Sequence, residues 1–396
     1  MQLANRISKI QDSPTLAISA RAKKMQEAGE DIINFGVGQP DFDTPDNIKS
    51  SAVKAIEEGF TKYTPASGIP ALREAAAQRF FLDQGVKYDA SEAIICCGAK
   101  HALYNLMMVL LNPGDEVLIP APYWVTYPEQ VKAADAEPVI VPTTENSGFK
   151  VSPEILDKYI SPKTKLLILN TPSNPTGAIY KREDLEEIGK FALAHDLVIV
   201  SDECYDKLIY DGQTHVSIAS LGEEIKTNTI VINAVSKAYS MTGWRIGYAL
   251  GDKTVISAMG KLQSQTTSNP ASISQKAALE ALAGSQEEIG KRLIEFDRRR
   301  NYLYERLNGI PGMTCFRSQG AFYLFPDVSG FLGREMNGKL ITNSAELATY
   351  LLERAKVATV PGSAFGAEGY LRLSYATSLE KIEKALDRIE QALKMN

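Results

Sequence analysis

Apolar and polar positions along the chain fall into two regimes. Between residues 93 and 250, short runs of β-branched and aliphatic residues recur, at 93–97, 116–119, 138–141, 165–169, 197–201, 229–232 and 248–250. The runs are nearly continuous in apolar character rather than alternating, the pattern of strands covered on both faces. Between several of them lie longer stretches of helical character, such as 100–111 and 182–195. Strand and helix in alternation predict βαβ units and an α/β fold with a mostly parallel sheet. From residue 269 the pattern turns mainly helical through 308. Shorter strand-like pieces follow at 321–325, 357–360 and 370–374, with helices near 344–354 and 379–394. This shift predicts a second, smaller α+β domain. The expected division is a large domain over 46–294, with an N-terminal arm (1–45) joined to 295–396. No internal repeat or low-complexity tract stands out.

Composition narrows the function classes. A chain of 396 residues has ample length for one or two cores. A net charge of −5 argues against a nucleic-acid binder, which would carry a basic excess. No apolar run is long enough to span a membrane, and the first 24 residues lack the apolar centre of a secretory leader. The four cysteines, Cys96, Cys97, Cys204 and Cys315, show no C-x-x-C spacing, which points to a reduced, cytoplasmic setting. His101, His195 and His215 are far apart and form no metal motif.

In open α/β sheets, ligands bind beyond the carboxyl ends of the strands. The segments that follow five of the predicted strands are CCGAKHA, APYWVTYP, NTPSNPTG, SDECYDKL and AVSKAYS. Each alone reads as ordinary turn chemistry. Five of them at one rim of one sheet describe a single pocket. The last runs on into SMTGWRIGY, which carries Lys237 and Arg245 in a setting of small and aromatic residues that otherwise reads as buried. A lone lysine is most often solvated, a lone Asp202 caps a helix, and a lone Arg245 pairs at the surface. At one rim they acquire a common purpose, since a desolvated lysine is a Schiff-base nucleophile.

The chain resembles the class I, fold type I pyridoxal-phosphate-dependent aminotransferases, and within them the bacterial aspartate aminotransferase subgroup. The likeness is carried by GVGQPDFDTP (36–45), KYTPASGIPALREA (62–75), APYWVTYPE (121–129), NTPSNPTGAIY (170–180), SDECYDKLIY (201–210), SKAYSMTGWRIGY (236–248), GAFY (320–323) and YLRLSYATS (370–378), in the family order. It implies a three-layer large domain and a homodimer with shared active sites. It also implies reversible amino transfer from L-aspartate to 2-oxoglutarate, giving oxaloacetate and L-glutamate by a ping-pong mechanism. Alternatives are a broader or different donor range (prephenate or aromatic) and a lyase of the same fold. A cofactor-binding regulator would need an appended basic DNA-binding domain, and the chain begins directly with the aminotransferase arm.

The resemblance also implies roles. Lys237 resembles the lysine that holds pyridoxal phosphate covalently and then shuttles a proton. Asp202 resembles the carboxylate under the pyridine nitrogen, where a buried anion favours the protonated ring. Tyr205 and Asn174 resemble the partners of the ring oxygen, and Trp124 the aromatic that stacks on the ring. Gly98, Ala99 and Lys100, at a strand-to-helix turn, resemble the phosphate site together with Ser236 and Arg245. Ala234 stands where other subgroups carry a phosphate-binding serine, so Arg245 and the helix terminus are expected to carry more. Tyr63 resembles the tyrosine that reaches the neighbouring subunit's phosphate. Arg372 and Gly38 resemble the α-carboxylate site, with Asn174 touching the same group. Lys100, with Ser13 and Thr15, is the expected clamp for a side-chain carboxylate. Relatives that also use prephenate carry Lys-Pro-Ser where this chain has Gln11-Asp12-Ser13.

Overall fold

The structure, a computed structural model, describes residues 3–394. All seven predicted runs become strands of one sheet: β1 (Ala93–Cys96), β2 (Glu116–Ala121), β3 (Glu137–Pro142), β4 (Thr164–Asn170), β5 (Val198–Asp202), β6 (Thr229–Ala234) and β7 (Gly247–Leu250). Their order across the sheet is β1-β7-β6-β5-β4-β2-β3. Every pairing is parallel except those of β7, which runs antiparallel to both β1 and β6.

The runs lack alternation because both faces are apolar. On β4, Leu166 and Ile168 join the cluster formed with Leu103, Leu106 and Met107 of helix Ala99–Leu110. Leu167 and Leu169 point the other way, into the cluster built on Leu185, Ile188 and Phe191 of helix Arg182–Ala194. Strand period 2 with both faces covered gives an unbroken apolar run.

A second core lies against one rim of this sheet. Helix Leu379–Leu393, capped by Ser378, contributes Ile382, Leu386, Ile389 and Leu393 at helical spacing. Helix Glu287–Asn308 contributes Phe296, Leu303 and Leu307, and runs unbroken through the expected domain boundary at 294/295. Cys204, Tyr205 and Ala234, from the β5 and β6 rim, pack into the same cluster. The smaller unit is therefore seated directly on the carboxyl ends of the central strands.

Its strands are shorter than the sequence pattern predicts. The run 357–360 divides: Val357–Ala358 pairs in parallel with Ile33–Asn34, whereas Val360–Pro361 pairs with Leu371–Ser374. The run 321–325 likewise yields only Tyr323–Leu324, antiparallel to Leu371–Ser374. The helix predicted over 344–354 becomes Ser344–Tyr350 followed by a π-helical turn, Leu351–Ala355.

Candidate active site

Strand register explains why residues distant in sequence meet. Asn170 ends β4 opposite Asp202, which ends β5. Lys237 follows three residues after β6 ends at Ala234. Because β7 is antiparallel, it enters the sheet at the rim where the parallel strands leave, with Gly247 paired to Ala234 and to Cys96. Arg245, two residues ahead of β7, therefore belongs to the same rim as Lys237.

A cavity of about 520 Å³ opens there. Its lining includes Ser13, Thr15, Gly38, Ala99, Lys100, Trp124, Asn174, Asp202, Tyr205, Ser236, Lys237, Arg245 and Arg372, as well as Ala234. Gly98 stands just behind, under the Arg245 guanidinium, where a Cβ would collide with it. Tyr63 is not part of this cavity and is 92% exposed.

Asp202 is buried. Its Oδ2 accepts from the Tyr127 hydroxyl at 2.7 Å and its Oδ1 from the Cys204 N–H at 3.2 Å. It forms no salt bridge among the described residues, and burial raises its pKa above the ordinary carboxylate value. Asn170 fixes the neighbouring backbone, donating to the Asp202 carbonyl at 3.0 Å and accepting from the Asn174 N–H at 2.8 Å.

Arg372 is the mirror case. Its guanidinium is 3% exposed and has no carboxylate partner among the described residues. It donates to Asn174 Oδ1 at 2.9 Å and to the Gly36 carbonyl at 2.8 Å, lies 4.4 Å from the Tyr323 ring centre, and leaves Nε without an acceptor. Burial holds its pKa below the usual guanidinium value. One cavity thus holds a carboxyl group with no salt-bridged cation and a guanidinium with no salt-bridged anion among the described residues. Such groups are costly to bury unless a ligand supplies the missing partner.

Lys237 lies among them. Its amine donates to the Gly38 carbonyl at 2.5 Å and lies 5.8 Å from the ring centres of Tyr205 and Phe322. Burial first, with Arg372 and Arg245 adding to it, pushes its pKa down to about 8. The Tyr205 hydroxyl shares a hydrogen bond of 3.0 Å with that of Tyr323.

Arg245 does not have the buried setting that its surroundings suggested. Arg245 and Lys100 are both exposed at the cavity mouth in this chain. Of the glycines near Arg245, Gly247 serves backbone approach, whereas a Cβ on Gly243 would meet nothing. A Cβ on Gly247 would strike the Ala99 backbone, so glycine there lets β7 pass against the start of helix Ala99–Leu110. Arg245 takes a left-handed φ of 56° and donates to the Thr242 carbonyl at 2.9 Å, which points its fork at that helix start. The first N–H groups of a helix have no intrahelical acceptor and form an anion site. The Lys100 amine rests 4.9 Å from the Trp124 ring centre. Ser13 Oγ bonds Thr15 Oγ1 at 2.9 Å and caps helix Pro14–Glu27.

Three functional neighbours were not singled out from the sequence: Tyr127, Tyr323 and Asn170. Tyr127 follows Trp124 by three residues, and its N–H donates to the Trp124 carbonyl at 3.0 Å. That spacing was the available signal that both face the pocket.

An α/β sheet whose strand ends gather a desolvated lysine and two buried ionisable groups without a salt bridge among the described residues forms a pocket suited to a charged ligand. The chain belongs to the aminotransferases of class I and II, a family that matches residues 30–389, and it is a transaminase. It is 52% identical over 391 residues to the aspartate aminotransferase of Geobacillus stearothermophilus, covering 99% of this chain and 98% of that protein. It is 48% identical over 392 residues to a probable aspartate/prephenate aminotransferase of Rickettsia bellii, covering 98% of each. Among solved structures it superposes on the aspartate aminotransferase of Rhizobium meliloti with a TM-score of 0.96, at 44% identity over 99% of this chain and 98% of that one. The Thermus thermophilus aspartate aminotransferase with maleate gives 0.92 at 41% identity, over 99% and 100%.

Proposed function

We propose that the protein is a pyridoxal-phosphate-dependent aspartate aminotransferase that works as a cytoplasmic homodimer. The observation that carries this reading is the pairing of unmatched charges: buried Asp202 and buried Arg372 face one cavity with the Lys237 amine between their elements. Asp202 would hold a protonated pyridine nitrogen, a cation with which it could pair. A substrate α-carboxylate supplies the anion that Arg372 lacks.

The cofactor, when bound, provides the electron sink for a substrate carbanion. The chain does the rest. Asp202, oriented by Tyr127 and the Cys204 N–H, would hold a proton on the ring nitrogen. Tyr205 and Asn174 would hold the ring oxygen, and Trp124 would pack against the ring. The Ala99 and Lys100 N–H groups, Ser236 and Arg245 hold the phosphate, with Tyr63 of the partner subunit completing that site. Arg372, Asn174 and Gly38 fix the α-carboxylate, and Lys237 carries the proton to and from Cα. Lys100, with Ser13 and Thr15, meets the side-chain carboxylate. The division into a large domain (46–294) and an arm plus small domain (1–45 with 295–396) then puts the phosphate site on one unit and the Arg372 clamp on the other.

The lowered pKa of Lys237 has a direct consequence. An amine with pKa about 8 is neutral at pH 7 in roughly 300 times the proportion of one at 10.5. Capture of pyridoxal phosphate by Lys237 in the cofactor-free protein, trapped with borohydride and located by peptide mass, should rise with pH through a midpoint near 8. A midpoint near 10 would mean that the amine is not desolvated.

Dicarboxylate preference rests on Lys100. A steady-state screen of donors against 2-oxoglutarate should rank aspartate above aromatic donors. Lys100→Ala should lower kcat/KM for aspartate by about tenfold at saturating cofactor, near the lower bound for a hydrogen bond to a charged group because the lysine is exposed. Phenylalanine should be affected by less than about twofold, since it has no side-chain carboxylate to lose a partner. Equal losses for both donors would remove the basis for a dicarboxylate enzyme.

A further inference from the structure

Tyr63 is the tip of a segment whose base is held with unusual firmness. Phe60–Ile69 has no helix or strand of its own, yet its backbone is bound at several points by side chains from two helices. Gln263, on helix Lys253–Thr266, donates from Nε2 to the Ala66 carbonyl at 2.6 Å and to the Ile95 carbonyl of β1 at 2.8 Å, while its Oε1 accepts from Asn105 at 3.0 Å. Gln275, on helix Ser272–Ala283, accepts the Ile69 N–H at 2.8 Å and donates to Thr64 Oγ1 at 2.9 Å and to the Pro270 carbonyl at 2.8 Å. Ser272 donates to the Phe60 carbonyl at 3.0 Å, and the Ile95 N–H donates to the Ser67 carbonyl at 3.0 Å. Gly68, at φ +96°, lets the chain pass against Ile95, whose side chain a Cβ would strike.

Both glutamines are 0% exposed. In each, both amide hydrogens and the carbonyl oxygen are used. Burying an amide is unfavourable unless it is fully satisfied, and a satisfied network is rigid. An apolar side chain would fill either position without that requirement. The chain instead builds two amide clamps on a segment that presents a tyrosine to solvent.

We propose that Gln263 and Gln275 are positioning residues that act across the dimer, holding the 60–69 segment so that Tyr63 meets the partner subunit's phosphate site already ordered. The proposal rests on the shared-site reading above. Ordering the segment in advance removes an entropic cost from cofactor binding. The beneficiary is the site on the other subunit, not the one that contains the glutamine.

That direction makes the test specific. Two hybrid dimers are prepared, each with one live site. In the first, a Lys237→Ala chain is paired with a Gln275→Met chain, so the live site is completed by an unaltered segment. In the second, a Lys237→Ala, Gln275→Met chain is paired with an unaltered chain, so the live site is completed by the loosened segment. The readout is the fraction of Lys237 that carries borohydride-trapped cofactor at limiting pyridoxal phosphate, with turnover measured alongside. The second hybrid should bind cofactor at least about fivefold more weakly than the first, which should match the Lys237→Ala/unaltered hybrid within about twofold. Thr64→Val, which removes one acceptor of the Gln275 clamp at a partly exposed position, should show the same asymmetry more weakly if Gln275→Met does not fold. Equal binding in the two hybrids, or weaker binding in the first, overturns the proposal. Tyr63→Phe in the same two arrangements separates the premises. Asymmetry with Tyr63→Phe alone discards only the clamp, whereas symmetry there discards the shared site and the proposal with it.

Discussion

Replacing Lys237 with alanine is expected to lower turnover by at least about 10⁴-fold at saturating pyridoxal phosphate, with no amine added. Two functions are lost together, the covalent anchor and the base at Cα. No other side chain can take the second. The Tyr205 hydroxyl is engaged with Tyr323, and burial raises its pKa well above the ordinary phenol value. Arg372 is a cation with no basic lone pair. The alanine protein should still bind cofactor, because Arg245, Ser236 and the start of helix Ala99–Leu110 are untouched. It should also be at least as stable as the parent without cofactor, since a desolvated amine held down at about pH 8 costs folding energy below that pH. That cost is full below pH 8 and disappears as pH rises toward the unfolded value of 10.5. Any stability gain in the variant should therefore shrink from pH 7 to pH 10.5. Turnover within about a hundredfold of the parent would refute the assignment of Lys237.

The central sheet was legible because its strands are covered on both faces, so each left an unbroken apolar run bounded by turn residues. The smaller unit was harder to read. In Val357–Pro361 one apolar run serves two sheets, and nothing in its periodicity says where the partner changes. Asp202, Tyr205 and Lys237 could be gathered into one pocket because they end or follow strands at one rim, and the antiparallel entry of β7 adds Arg245 to them. Tyr127 escaped notice for a physical reason. It lies 75 residues from Asp202, and a tyrosine on a helix against a sheet has the pattern of core. Tyr323 reaches Tyr205 across 118 residues in the same guise. The exposure of Arg245 runs against the sequence pattern because glycine and aromatic neighbours accompany close backbone approach as readily as burial.

Asp202→Asn should separate function from stability with opposite signs. The change is nearly isosteric, so the cavity keeps its shape and an oxygen can still face Tyr127. What goes is the charge. A neutral amide cannot hold a proton at the ring nitrogen, and loss of a preorganised charge partner in a dry site costs on the order of 10³-fold in kcat, about 4 kcal/mol. KM for aspartate should move far less, because on the proposed reading Arg372 and Lys100, not Asp202, hold the substrate carboxylates. The cofactor-free protein should respond the other way. Burial raises the Asp202 pKa in the folded state and no cation lies within salt-bridge distance of it among the described residues, so ionisation of Asp202 opposes folding. A raised folded pKa means that this group favours folding below the unfolded value near 3.8 and loses that advantage as pH climbs through the folded value. The asparagine protein has no such loss. Its stability relative to the parent should therefore grow as pH rises from 4 and level off above the folded pKa. Added pyridoxal phosphate should narrow the gap by supplying the parent with the cation it lacks. Urea denaturation at pH 4 and pH 7.5, with and without cofactor, measures all three quantities. A variant that loses activity and is also less stable without cofactor at pH 7.5 would show that Asp202 holds the fold together, and that its charge is not poised for a ligand.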